Sequence, residues 1–90
     1  MAQATPESQA KSKEIHSSIL TAGLSQLDSD LIADCVMHDK CMSWMNNDEP
    51  KAGAVDFANS ELLKDNLNLK IECSFHSRSG KYIWEVKRRQ

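Results

Sequence analysis

Ninety residues, 40% hydrophobic and 27% charged, have the composition of one small soluble domain near the lower limit of what folds without help. No apolar run reaches the ~20 residues that a membrane-spanning helix needs, and the polar N-terminal stretch has no signal-peptide core. Three cysteines without framework spacing argue against a disulfide scaffold and for a reducing compartment, with the cytoplasm as the expected location.

The net charge of −2 hides an uneven layout. Residues 25–65 hold nine acidic side chains against three basic ones, and residues 66–90 hold two against six. Segregated charge of this kind steers a complementary partner or aligns two copies of a chain.

In chain order, residues 1–10 are polar, contain Pro6 and are expected to be a flexible segment. Residues 11–90 are expected to form a single small domain. A first helix fits from about Glu7 or Ser12 to Ala22, with Ile15, Ile19 and Ala22 as its apolar line. Gly23 falls where a left-handed C-cap is wanted, followed by Leu24 as the hydrophobic residue that closes such a cap.

Residues 25–45 carry the longest helical pattern. Ser25 and Asp28 approximate a capping box, and Asp28 and Asp30 suit the positive end of the helix dipole. At about 100° per residue, Leu24, Leu27, Leu31, Cys35, His38, Met42 and Met45 fall in one stripe, widened by Ile32 and Val36. Met37, Cys41 and Trp44, with Ala33, form a second stripe on the opposite side. Two stripes imply burial on two sides. Either this is a central core helix, or Met37, Cys41 and Trp44 face a partner protein or a second copy of the chain, which would make a homodimer.

Turn composition at residues 46–50 ends that helix. A third helix fits Ala54 to Asp65 through Val55, Ala58 and Leu62, with Asn66 as its stop. From Leu67 the period changes to two: Leu67, Leu69, Ile71, Cys73 and Phe75 alternate with polar residues. Tyr82, Trp84 and Val86 repeat the pattern beyond a Gly-containing turn, which reads as an antiparallel hairpin. Phe75 must share a face with Trp84, so the loop is of even length. A four-residue loop would oppose Glu72 to Glu85 and Lys70 to Lys87, so the two-residue loop Ser79-Gly80 is favoured. The expected class is α+β: three helices followed by a C-terminal antiparallel β-hairpin packed on the central helix.

Cys35, His38 and Cys41 are spaced C-x-x-H-x-x-C, which suits zinc, and a structural zinc domain is one alternative. Cysteines on apolar faces are more often small buried hydrophobes, so neither metal nor cofactor is expected. A Cys-His nucleophile would need an electropositive setting, whereas Asp34 and Asp39 are close by, so an enzyme is not expected. The three glycines are isolated, with no phosphate-binding loop among them.

The order of elements matches a winged helix, in which Arg78 and Lys81 would be wing contacts and Lys87 and Arg88 further nucleic-acid contacts. The third helix carries Asp56, Glu61 and Asp65 against Lys64, so phosphates would repel it. Nucleic-acid binding is therefore the alternative reading. The leading expectation is a non-enzymatic protein-binding module, a regulator or inhibitor that occupies a partner protein's surface through Met37, Cys41 and Trp44.

Overall fold

A computed structural model describes residues 5–65 and 67–89. The elements are α1 (Pro6–Ala22), α2 (Gln26–His38), β1 (Met42–Asn46), α3 (Ala54–Lys64), β2 (Leu69–His76) and β3 (Lys81–Arg88). The class is α+β, as expected. The helices do not all precede the strands, however, and the strands are three, in an antiparallel sheet of order β1-β3-β2.

Helix α1 begins at Pro6, beside the earlier of the two starts expected from the sequence. Thr5 and Ser8 form a capping box: the Ser8 N–H donates to Thr5 Oγ1 at 3.1 Å, and the Thr5 N–H donates to Ser8 Oγ at 2.8 Å. Pro6 follows at the first helical position, where its missing N–H costs no helix bond. Residues 6–10 are helical, and residues 1–4 and Asn66 lie outside the described residues. Gly23 caps α1 at φ 114°, and a Cβ there would meet Lys51 at 2.7 Å, so both backbone and space demand glycine.

The largest correction concerns the central helix. It ends at His38, not Met45, because Asp39 turns left-handed at φ 50° and its N–H donates to the Cys35 carbonyl. Lys40 N–H reaches the same carbonyl at 3.1 Å. Aspartate tolerates this conformation better than most residues. The guanidinium of Arg88 then clamps the bend, pairing with the Asp39 carboxylate and donating to its carbonyl at 2.6 Å. From Met42 the chain is extended, and burial alternates residue by residue.

The buried face of α2 is also rotated from the expected stripe. Ile32, Cys35 and Val36 are buried, but Leu27 is 48% exposed and Leu31 only half-buried. Asp28 and Ser29 take their place in the interior, at 1% and 0% exposure.

The hairpin has the expected parity but not the expected loop. His76 pairs with Lys81 across a four-residue loop, which opposes Glu72 to Glu85 and Lys70 to Lys87. The like charges are offset diagonally, since Lys87 Nζ lies 2.9 Å from Glu72 and 3.9 Å from Glu85. Hydrogen bonding and attraction from Lys87 hold the Glu72 carboxyl below the ordinary range. The longer loop sets buried Ile71 against buried Val86, where the two-residue loop would have set it against Arg88. Arg88 is left at the strand end, within reach of Asp39.

One core unites the elements. Helix α1 packs against α2 and α3, α3 lies along β2, and α2 lies beside β1. The nearest helix to the hairpin backbone is therefore α3, not the central helix. Ile19, Ile32, Leu62, Ile71, Trp84 and Val86 meet in the centre. The opposite sheet face carries Lys70, Glu72, Glu85 and Lys87, all at least partly exposed.

Candidate functional site

A three-stranded sheet has two edges, and this chain treats them differently. At the β2 edge, Asn59 of α3 acts as a substitute strand. Its Oδ1 accepts from the Ile71 N–H at 2.7 Å, and its Nδ2 donates to the Ile71 carbonyl at 2.9 Å. Alanines 54 and 58, buried on the same helix, let the backbone come close enough for this. The β2 edge is thus closed at its middle.

The β1 edge has no such cover. Among the described residues, no group outside β3 bonds to the backbone of residues 42–46. The strand contains neither charge nor proline, two devices that usually guard an edge. Ser43 and Met45 project to the helix-free face of the sheet and are exposed, Met45 at 47%. Met45 pairs across the sheet with Ile83, so the apolar surface continues onto β3.

The other face of β1 is anchored. Trp44 stacks on Trp84 with centroids 5.9 Å apart and planes 3° from parallel. Its indole N–H donates to Asp28 Oδ1 at 2.8 Å. Asn46 Nδ2 donates to the same oxygen and to Ser25 Oγ, each at 3.1 Å. The N-terminal turn of α2 is bolted to β1 through these bonds. A buried aspartate is tolerable here because its oxygen accepts two donors.

The residues singled out from the sequence are only partly brought together. Met37 is half-buried on α2 beside a cleft of about 180 Å³ lined by Thr5, Glu7, Lys11 and Leu67. Cys41 is exposed in the link before β1, and Trp44 is half-buried on β1. The helical stripe that joined the three does not exist; Trp44 lies on β1 and Cys41 immediately before it. Asp28 and Asn59 were not singled out as site residues. Their roles depend on partners distant in the chain. Residues 42–46, Met-Ser-Trp-Met-Asn, do not alternate in polarity, so β1 carries no local strand signal.

Of the basic residues, Arg78 and Lys81 are exposed at the hairpin tip. Lys87 is engaged by Glu72, and Arg88 by Asp39. Strand β1 lies between α2 and α3, where a helix-turn-helix would have its short turn. Among the described residues, no three His, Cys, Asp or Glu side chains converge on a point that could hold a metal. Cys35 is fully buried, while Cys41 is exposed.

Burial pushes the Cys35 thiol from its ordinary 9.0 up to about 11. The unfolded chain therefore loses this proton near pH 9, while the folded chain keeps it to about pH 11. Stability is lost as pH rises across that window, by up to ~3 kcal/mol at about 1.4 kcal/mol per unit. Urea titrations from pH 8 upward are expected to show a shallower alkaline loss for Cys35→Ala than for the wild type. Equal slopes would assign the loss to other groups.

No protein-family model matches the chain, and neither known proteins nor solved structures give a significant match. No helix among the described residues is long and apolar enough to cross a membrane.

Proposed function

We propose that this chain is a non-enzymatic protein-binding module, a small regulator or inhibitor that engages a partner by taking up a strand along β1. The observation that carries the reading is the contrast between the two edges: Asn59 closes β2, while β1 is open and uncharged and carries exposed Met45. Strand addition uses main-chain hydrogen bonds for affinity and alternate side chains for specificity. The Asp28 bonds to Trp44 and Asn46 hold the edge in its extended form before a partner arrives, which lowers the ordering cost of binding. Three free thiols suit a reducing compartment, so we place the protein in the cytoplasm. The nucleic-acid reading has less support, because Lys87 and Arg88 are held in ion pairs.

Photo-crosslinking in the native cell tests this reading. A photoreactive side chain at Met45 is expected to give discrete protein adducts, and one at Ser60, also exposed but on α3 beside the opposite edge of the sheet, is not. Adducts from both positions alike, or from neither, would count against the β1 edge.

A further inference from the structure

We infer that the occupant of the β1 edge is a second copy of this chain, its β1 paired antiparallel about a two-fold axis through Trp44. The inference rests on the strand-addition reading and names its partner. Residues 40–48 read KCMSWMNND, with one base at the start and one acid at the end. An antiparallel pair centred on Trp44 sets each Lys40 against the other copy's Asp48, twice by symmetry. Everything between them is uncharged; in the next pair outward Asp39 meets Glu49, and there Asp39 is already neutralised by its own Arg88. Among the described residues Asp48 has no cation partner, and Lys40, which bonds its own Asp34 at 2.7 Å, is partly exposed. Moving the axis to Met45 would instead set Asp48 against Met42 and Glu49 against Cys41, placing carboxylates beside apolar side chains.

The same register organises both faces of the joined sheet. On the helix side, Trp44 meets Trp44, so the stacked Trp44–Trp84 pair of each copy extends into a row of four indoles. That gives half-buried Trp44 a partner on its open side. On the other side, Met45 meets Ser43 of the second copy and loses much of its 47% exposure. The contact is isologous and closes on itself, and the result is a six-stranded sheet bounded by two β2 edges, each capped by Asn59.

The test is sedimentation of the full chain, with near-ultraviolet circular dichroism reporting on the tryptophan row. Wild type is expected to be a dimer at micromolar concentration. Ser43→Lys/Met45→Lys places lysine against lysine twice and is expected to weaken association at least tenfold. Ser43→Lys/Met45→Glu places opposite charges at the same two contacts and is expected to restore it. Both positions are exposed, and far-ultraviolet circular dichroism checks that each variant is folded. A wild type that remains monomeric to millimolar concentration overturns the inference, as does a double-lysine variant that associates like wild type. A monomer that crosslinks through Met45 to a different protein also overturns it, while leaving the strand-addition reading standing.

Discussion

Trp84→Ala is expected to destabilise the fold by about 3–5 kcal/mol, the range for truncating a large buried aromatic residue. Trp84 is fully buried, lies on the central strand of the sheet, and faces Trp44 on one neighbour and Cys73 on the other. Its removal opens a void between both edge strands and the helices above, with small residues such as Ala33, Ala54 and Ala58 among the buried set and little able to fill it. The buried indole N–H has no acceptor among the described residues, so part of what tryptophan contributes is offset by that orphaned donor. Trp84→Phe keeps most of the apolar volume and discards the donor, and is expected to cost less than half as much. Urea unfolding of the two variants measures this. A Phe variant as weak as the Ala variant would mean that the N–H is bonded after all, or that shape outweighs volume at this position.

Asp28→Ala is expected to cost about 2–4 kcal/mol, as two donors lose one acceptor. Among the described residues the Trp44 indole N–H loses its one acceptor, and Asn46 Nδ2 keeps only Ser25 Oγ. The loss falls where α2 is joined to β1, so hydrogen exchange is expected to rise in β1 more than in the β2–β3 hairpin. Asp28→Asn retains a carbonyl oxygen for the same donors and is expected to cost roughly 1 kcal/mol, in the range of a single net hydrogen bond. If Asn proved as damaging as Ala, the carboxylate's charge, not its acceptor capacity, would be the essential property.

Much of the fold was legible in local pattern. The Gly23 corner, the Ser25 cap, the apolar line of α3 through Ala58 and Leu62, and the shared face of Phe75 and Trp84 all follow from signals within a few residues. Each is set by a backbone preference or a side-chain period that needs no distant partner. The α+β class follows from the same signals.

Tertiary structure decided the rest. Met42 and Met45 fit one helical stripe and Trp44 the other as readily as they fit a strand, because methionine is a good helix former and five residues cannot separate the periods 3.6 and 2. The choice was made by Arg88, which holds the bend at Asp39 from 49 residues away, and by Trp84, on which Trp44 stacks. The hairpin register followed the need to set Ile71 against Val86, which outweighed like charges that could pair diagonally at the surface. Asp28 entered the interior, and Leu27 left it, because Trp44 and Asn46 supply the donors that a buried carboxylate requires. Sequence alone determines where short-range preferences agree. Where two local states are nearly equal in free energy, contacts between residues far apart in the chain select one of them.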